Sequence, residues 1–341
     1  MSHEINIRAN GKAEMAYVGE TPWHGLGQSV TKGASIDVWR REAGLDWEAK
    51  SAVVQYHNED GLLLPFNARK VLYRSDTCQP LGDVSEKFKV VQPADLMEFF
   101  RDLTEAGGWH IETAGVLRGG AKIWALADCG IEGSVAKRDK VKGKLLVATS
   151  LDGSMKTTAK FTSVRVVCAN TIAVALNTEL EGQVTISHRS HFDPEEIKES
   201  LGISVDSFKL FMHKCEEMAE TPVSLDEATE VLRNLFGQPT AKEIKETSSD
   251  YEFQKLMSQF TDAPGQKLRE QRSVSRSLAL FGGEGMGSML PGSPGSRWGL
   301  LNAITQHVDH EMGRTADTRM DSAWFGRGDE IKRAALEALE V

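Results

Sequence analysis

Alternation of apolar and polar residues predicts a small antiparallel sheet in the middle of the chain. The predicted strands cover residues 112–117, 122–127, 144–150 and 154–161. Gly119 and Gly120 favour a tight turn between the first two strands, because glycine adopts positive φ at little cost. Asp152 and Gly153 are a strong hairpin signal between the last two. The second strand is apolar on both faces and should be central, whereas the fourth alternates polar and small residues and should be more exposed.

Further elements are predicted on both sides of this sheet. Short strands are expected at residues 47–55, 70–74, 81–84, 88–91 and 184–187. Apolar stripes at helical spacing predict helices at residues 36–43, 94–106, 193–219, 225–236 and 329–339. The hydrophobic period changes within residues 164–176, where we expect a helix that begins near Cys168 or Asn170.

These elements predict an α+β protein, with a small antiparallel β-meander sheet, packed helices and a helical C-terminal region. The length of 341 residues allows two domains or one elaborated domain. The predicted regions are an N-terminal α+β region (1–92), a central helix–β-meander–helix core (93–192), an acidic helical region (193–281), a Gly-rich loop (282–295) and C-terminal helices (296–341). The Gly-rich loop should be flexible, and no Gly-Lys-Ser/Thr closes it as in a phosphate-binding loop.

The composition is that of an ordinary soluble protein, with 40% hydrophobic and 26% charged residues. No apolar run is long enough for a membrane span, and the N-terminus lacks the apolar segment of a signal peptide. We therefore expect no membrane association. The four cysteines are far apart and form no CxxC pair, which is typical of reduced thiols in a cytoplasm.

Charge is distributed unevenly along the chain. The whole chain carries a net charge of -9, yet residues 115–165 contain ten basic residues and four acids, a local excess of about six positive charges. A basic sheet surface can follow a phosphate backbone. Alternatively, residues 137–144 are simply a solvated loop. The residues predicted to contact phosphates are Arg118, Lys122, Lys140, Lys142, Lys144, Lys156, Lys160, Arg165 and Arg189.

Residues 195–259 have the opposite balance, with fourteen acids and seven bases. This acidic helical segment could shield the basic core, pack against another subunit, recruit a partner or be a solvated surface. His188 and Arg189 could contact a phosphate or substrate. His188, His191 and Asp193 have metal-like residue types, but no third ligand is fixed by spacing, so we expect no metal and no cofactor.

No catalytic signature is present, and a binding function is favoured over an enzymatic one. The candidates for an enzyme are weak. His24 has no partner identifiable by spacing, and Cys168 would be a nucleophile only with a histidine brought to it by the fold. Asp152 could pair with Arg165, which is nearby in sequence.

The segments TPWHGLG, LRGGAKIWALA, LDGS, FTSVRVVCANTIAVAL, LLNAITQHVDH and AWFGRGDEIKRAAL resemble a family of phage- and plasmid-borne proteins. That family is catalogued as domain of unknown function 932. The resemblance covers about residues 21–339, and Arg165, Cys168 and Asn170 in RVVCANT are its clearest mark. It implies a mobile-element protein in the cytoplasm of a bacterial host, with no established catalytic residues.

The order of elements also resembles, more weakly, phage single-strand annealing proteins of the RecT and Red-beta kind. Those proteins form oligomeric rings or filaments and hold single-stranded DNA in a basic groove. The leading interpretation is thus a homo-oligomer that binds or anneals single-stranded DNA, or RNA, in recombination or replication. The alternative is a protein-interaction module that modulates host or defence functions through a host or phage protein partner, without nucleic acid.

Overall fold

A computed structural model describes residues 5–8, 10–19, 25–107, 109–165, 167, 170–173, 183–189, 205–239, 249–261, 264–312 and 319–340. Four residues considered above for chemistry lie outside the described residues, namely His24, Cys168, His191 and Asp193. The first part of the helix predicted from residue 193 also lies outside them.

The residues that the structure describes form two sheets. Strand bounds are β1 Met15–Tyr17, β2 Gln28–Ser29, β3 Ala49–His57, β4 Leu63–Arg74, β5 Pro80–Ser85, β6 His110–Leu117, β7 Lys122–Val135, β8 Asp139–Ser150, β9 Thr157–Arg165, β10 Asn170–Ala173 and β11 Gln183–Ile186. The larger sheet has the order β10-β9-β8-β7-β6-β1-β2, and β11 also pairs with β9. β3, β4 and β5 form the smaller sheet in that order. β6 pairs antiparallel with β7 and β1, whereas β1 and β2 are parallel.

Helices precede and follow these strands along the chain. Their bounds are α1 Ile36–Glu42, α2 Pro93–Gly107, α3 Val205–Glu220, α4 Leu225–Gly237, α5 Asp250–Thr261, α6 Pro264–Ala279, α7 Arg297–Gln306, α8 Arg319–Phe325 and α9 Arg327–Leu339. Ser35 caps α1, and Ser224 and Glu227 form a reciprocal capping box at α4, so both helix starts are encoded locally. The predicted α+β class and the helical C-terminal region are confirmed.

The chain folds into two compact units, each assembled from separate stretches. The first unit comprises Met1–Gly130, Lys144–Phe161 and Leu176–Ile203. The second unit comprises Ile131–Gly143, Thr162–Ala175 and Ser204–Val341. In the first unit α2 packs on α1 and β6, with Phe99 and Phe100 fully buried. In the second unit α7 is buried from Trp298 to Gln306 and packs on α3 and α9.

The helix expected near Cys168 or Asn170 was wrong. β10 is a strand that pairs antiparallel with β9, with Asn170 opposite Arg165 and Ala173 opposite Thr162. Thr171 and Ile172 are β-branched and favour extended backbone, and the free edge of β9 supplies hydrogen-bond partners. The hydrogen bonds gained by pairing with β9 therefore outweigh the weak helical periodicity of these residues.

The exposure predicted for the fourth strand was also wrong. β9 is an inner strand, with β8 on one side and β10 and β11 on the other, and it is buried along its whole length except at Val164. One of its buried polar side chains, Thr157, forms a hydrogen bond with Thr149 of β8, with the two hydroxyl oxygens 2.8 Å apart. The hairpin signal at Asp152 and Gly153 is correct, since β8 and β9 flank it.

Two local predictions need correction. Residues 88–91 form no strand. The loop considered for residues 137–144 is instead a tight turn followed by the start of β8. Ala136 and Lys137 both have positive φ, 46° and 65°, and reverse the chain between β7 and β8.

Candidate nucleic-acid interface

The residues predicted to contact phosphates divide into two groups by burial. Lys122, Lys144, Lys160 and Arg165 are buried, with 7%, 2%, 3% and 2% of their surface exposed. Their charges lie inside the protein, where a phosphate backbone does not reach them. Arg118, Lys140, Lys156 and Arg189 are exposed, and Lys142 is half-buried. Only this second group presents its charges at the surface.

Arg165 is the centre of a buried network in the second unit. Its Nε donates to both carboxylate oxygens of Asp139, at 2.8 and 2.7 Å. Its Nη2 donates to the carbonyl of Gly287 at 2.9 Å and to Ser293 Oγ at 3.0 Å. Trp298 Nε1 donates to the same Asp139 carboxylate at 2.8 Å. Arg165 therefore pairs with Asp139, not with Asp152 as considered from the sequence, and it anchors the Gly-rich segment.

Lys144 is similarly occupied within the first unit. Its ammonium group donates to Glu112 and, at 3.2 Å, to Asp128. Asp128 also accepts the backbone N–H of Gly130 at 2.8 Å. Hydrogen bonds from Gly130 and Lys144 hold the pKa of Asp128 below its usual range, although burial opposes them. Lys144 thus stabilises the sheet rather than facing solvent.

Two predicted contact residues, Lys156 and Arg189, converge on one cleft in the first unit. The cleft has a volume of about 410 Å³. It is formed by β4 and β5, the turn between β8 and β9, and the segment after β11. The side chains and backbone that line it include Arg69, Asp83, Phe88, Asp152, Gly153, Ser154, Met155, Lys156, His188 and Arg189.

His188 joins three of the segments that form the cleft. Its Nε2 lies 3.0 Å from the carbonyl oxygen of Met155, and its Nδ1 lies 3.2 Å from that of Lys89. The backbone N–H of Lys89 also donates to the His188 carbonyl at 2.6 Å. The ring stacks on Phe88, with centroids 4.1 Å apart and planes at 20°.

Gly82 sets how closely β5 approaches the β8–β9 turn. A Cβ at this position would lie 2.8 Å from Cα and 2.9 Å from Cβ of Asp152. Those distances are shorter than van der Waals contact, so only glycine allows the observed spacing. Asp152 in turn accepts the N–H of Ser154 at 2.9 Å, which shapes the turn beside Lys156. The wall of the cleft is therefore specified by backbone geometry.

The cleft carries an excess of one positive charge, because Arg69, Lys156 and Arg189 line it together with Asp83 and Asp152. Arg69 pairs with Asp83, with Nε 2.5 Å from the carboxylate. Within the part of the chain that the structure describes, neither Lys156 nor Arg189 has an ion-pair partner, although both are exposed. An anion in the cleft would meet these two cations and the rim of the Arg69–Asp83 pair. The arrangement is suited to binding phosphate or carboxylate groups.

Sequence reasoning identified Lys156, His188 and Arg189 in this cleft but missed Arg69 and Phe88. Arg69 lies on β4, far from the others in sequence, and no local pattern marks it. Phe88 lies in the segment predicted as a short strand, and nothing in that prediction indicates a ligand site. Pairing of β4 with β5 brings both to the cleft, with Arg69 opposite Ser85.

Other kinds of site receive less support. Among the described residues, no group of three or more His, Cys, Asp or Glu side chains could hold a metal ion. Burial raises the pKa values of the Cys129 and Cys215 thiols, which disfavours a nucleophilic thiolate at either position. None of the helices that the structure describes is both long and apolar enough to cross a membrane.

The chain was compared with known proteins, families and structures. No curated protein and no solved structure matches it. The family model described as "Domain of unknown function (DUF932)" matches residues 80–324, which is more than half of the chain. The match includes the β8–β9 turn, His188 and Arg189 of the cleft, and the whole Asp139–Arg165–Trp298 network. The protein therefore belongs to the DUF932 family.

Proposed function

We propose that the protein binds single-stranded nucleic acid through the cleft of the first unit. The observation that carries this proposal is the convergence of Lys156 and Arg189, two exposed cations without an ion-pair partner among the described residues. Binding of phosphates to such cations releases condensed counterions and provides affinity that does not depend on sequence. The proposed site is smaller than the one predicted from the sequence, which included basic residues throughout 115–165.

The size of the cleft favours a single strand over a duplex. Its volume of about 410 Å³ is within the range of about 300–1,000 Å³ for small-ligand pockets. One nucleotide unit fits such a volume, but a double helix does not. Phe88, stacked on His188, supplies an aromatic edge next to the cations, which suits a base adjoining a bound phosphate.

The origin of the protein and the process in which it acts are part of the same proposal. We place the protein on a phage or plasmid, acting in the cytoplasm of a bacterial host during recombination or replication. DUF932 membership supports a mobile-element origin, since the family resemblance implies one. Strand annealing was suggested by the order helix, meander, helix of RecT-like proteins, but residues expected to begin the second helix form the strand β10, so annealing is proposed only as a later step that depends on binding. Binding is the first step, and it is tested separately from annealing.

The test is fluorescence anisotropy of a labelled single-stranded oligonucleotide titrated with full-length protein at two salt concentrations. The double variant Lys156→Glu/Arg189→Glu should weaken binding at least tenfold. It should also flatten the slope of log K against log salt by about 0.7 for each phosphate that the variant no longer binds. A duplex of the same sequence should bind more weakly than the single strand.

The matched control is Arg138→Glu/Lys140→Glu, which makes the same change in charge at two exposed residues, Arg138 in the turn between β7 and β8 and Lys140 at the start of β8. It should bind within about twofold of the wild type. Equal weakening by both double variants would mean that net charge, not the cleft, determines affinity. Unchanged binding by the Lys156/Arg189 variant would remove the cleft from the interface, and no binding by the wild type would overturn the function.

A further inference from the structure

Two helices of the second unit end in wide π-helical turns that one arginine joins. α6 continues into the turn Leu280–Glu284, and α7 continues into the turn His307–Glu311. Arg276 of α6 donates to Glu284 in the first turn and to both carboxylate oxygens of Glu311 in the second, at 2.6 and 2.8 Å. π-helical turns are rare and often occur at functional sites. Arg276 therefore holds the ends of α6 and α7 together.

His307, the first residue of the second turn, is buried without a hydrogen-bond partner. Only 7% of its surface is exposed. Within the described part of the chain, neither ring nitrogen forms a hydrogen bond. Its Nδ1 lies 3.6 Å from Oε2 of Glu311, which is too long for a hydrogen bond. The ring also packs edge-on against Phe236 of α4, with centroids 5.6 Å apart. Buried polar atoms without a partner are rare in folded proteins, so this ring requires an explanation.

The surroundings of His307 favour an uncharged ring. The charged side chains that act on it are Glu311 of the same turn, Arg276 of α6 and Arg319 of α8. Towards α9, Asp309 of the turn is already paired with Lys332 at 2.6 Å, and α4 presents the uncharged Phe236. A protonated ring is thus repelled by two guanidinium groups and attracted by one carboxylate. Burial lowers the pKa of His307, so the folded protein takes up this proton only below the ordinary value of about 6.5.

Protonation of His307 makes two cations compete for one carboxylate oxygen. The imidazolium carries an N–H on each nitrogen, and a buried donor without an acceptor is costly. Oε2 of Glu311 is the acceptor that Nδ1 faces, and it must approach from 3.6 Å to about 2.8 Å to form a charge-assisted hydrogen bond. The same oxygen accepts Arg276 Nε at 2.6 Å. Movement of Glu311 toward the ring therefore lengthens its bond to Arg276.

We propose that His307, Glu311 and Arg276 form an acid-sensitive latch, in which protonation of His307 draws Glu311 from Arg276 and releases the second turn from α6. The release reaches the Gly-rich segment, because Oε1 of Gln306, next to His307, accepts the backbone N–H of Met286 at 2.8 Å. Near neutral pH the ring is uncharged and the latch is closed. This inference is independent of nucleic-acid binding, because it uses none of the residues that line the cleft.

The test is hydrogen–deuterium exchange of the full chain between pH 7.5 and 4.5, with rates corrected for the intrinsic effect of pH on exchange. Exchange in peptides from residues 280–290 and 307–312 should rise at least fivefold as pH falls, while residues 298–305 of α7 stay protected. His307→Gln should remove this rise. The matched control is His213→Gln on α3, because His213 also lies near a glutamate four residues later, Glu217 at 3.5 Å, but is 67% exposed. The control should show the same rise as the wild type.

A second variant separates the latch from a general loss of stability. Glu311→Gln keeps the size of the side chain but weakens its pairing with Arg276. The same peptides should therefore exchange at least fivefold faster than in the wild type at pH 7.5 and gain little more in acid. Circular dichroism verifies that each variant folds.

Several outcomes would overturn the latch. One is an exchange rate in the wild type that stays unchanged down to pH 4.5. Others are a rise that persists in His307→Gln, a rise that His213→Gln removes equally, and a rise spread evenly over α3, α4 and α7. A Glu311→Gln variant that exchanges like the wild type at both ends of the pH range would also contradict the proposal.

Discussion

Asp139 and Arg165 form an ion pair from which solvent is almost completely excluded, with 0% and 2% of their side chains exposed. Both carboxylate oxygens accept from the guanidinium, and Trp298 donates a further hydrogen bond. The pair draws together the β7–β8 turn, the end of β9 and the start of α7 within the second unit. Removing one member of such a pair leaves the other charge buried and unpaired.

We therefore predict that Asp139→Asn destabilises the protein by about 3–5 kcal/mol. Urea unfolding followed by tryptophan fluorescence and circular dichroism measures the change in free energy. The variant Trp298→Phe removes the indole hydrogen bond, which should cost about 1–3 kcal/mol because one buried acceptor site loses its donor, and the smaller ring also leaves a cavity beside Arg165. A cost below about 0.5 kcal/mol for Asp139→Asn would contradict the role given to the pair.

A second prediction concerns Glu14, which is completely buried in the first unit. Its carboxylate accepts from Arg74 at 2.6 and 2.8 Å, and Arg74 also lies over the Trp47 ring at 4.4 Å. Glu14→Gln should reduce the free energy of unfolding by about 1–3 kcal/mol, because Arg8 and Arg74 lose a charged acceptor, although Asp76 still pairs with Arg74 at 2.8 Å. The exposed Glu59→Gln is the control and should change it by less than about 0.5 kcal/mol.

This second result would have a meaning beyond stability. Glu14 and Arg74 both precede residue 80, where the family match begins. If Glu14→Gln unfolds the first unit as a whole, the N-terminal residues are part of the folded unit. If only a local transition appears, residues before 80 are an appendage to the family fold.

The third prediction concerns thiol reactivity. Of the described cysteines, Cys78 is exposed, and Cys129 and Cys215 are buried. Burial raises the pKa of both buried thiols, so little thiolate is present and reagents cannot reach it. Iodoacetamide should alkylate Cys78 in the native protein at least tenfold faster than Cys129 or Cys215, as measured by peptide mass spectrometry. In urea the three rates should converge; native labelling of Cys215 at the rate of Cys78 would refute the packing of α3.

The fourth prediction concerns pH. Burial lowers the pKa of His307 below 6.5, and the nearby Glu311 only partly offsets this effect. As pH falls through the ordinary value of about 6.5, the unfolded chain takes up a proton at this residue and the folded protein does not. Stability is therefore lost as pH falls, until the folded pKa is also passed.

His307→Gln removes this proton uptake and should make the free energy of unfolding fall less between pH 7.5 and 5.5 than it does in the wild type. Because the unfolded chain takes up at most one proton at this residue, the difference over this interval cannot exceed about 1.4 kcal/mol per unit of pH crossed below the ordinary pKa. His213→Gln is the control, since 67% of the His213 side chain is exposed. Identical pH profiles for the wild type and His307→Gln would exclude this residue as a source of acid sensitivity.

Elements encoded by neighbouring residues were predictable from the sequence. The Asp152–Gly153 turn, the Ser35 and Ser224 helix caps and the apolar face of α2 all depend on contacts within a few residues. β10 was not predictable in this way, because its extended form depends on pairing with β9. The burial of β9 likewise depends on parts of the chain that come before and after it, and the alternation of residues within β9 does not indicate them.

The same distinction applies to the candidate site. Lys156 and Arg189 were identified by charge, but their proximity results from β9 pairing with β11, which ends just before His188. Arg165 was identified as a phosphate contact because a sequence does not show which carboxylate faces a cation. Its partner Asp139 and the Gly287 carbonyl are both distant in sequence. The Gly-rich segment, expected to be flexible, is hydrogen-bonded to Arg165 for the same reason.

The division of the chain has a consequence for how it is made. The chain passes from one unit to the other at residues 130–131, 143–144, 161–162, 175–176 and 203–204. Trp298 and Asp139 are 159 positions apart, and contacts of such long range slow folding. During synthesis the turn that carries Asp139 leaves the ribosome long before its indole partner exists. The second unit therefore closes only after residue 298 has been synthesised, and a chain stopped before that residue leaves the Asp139 carboxylate without its tryptophan.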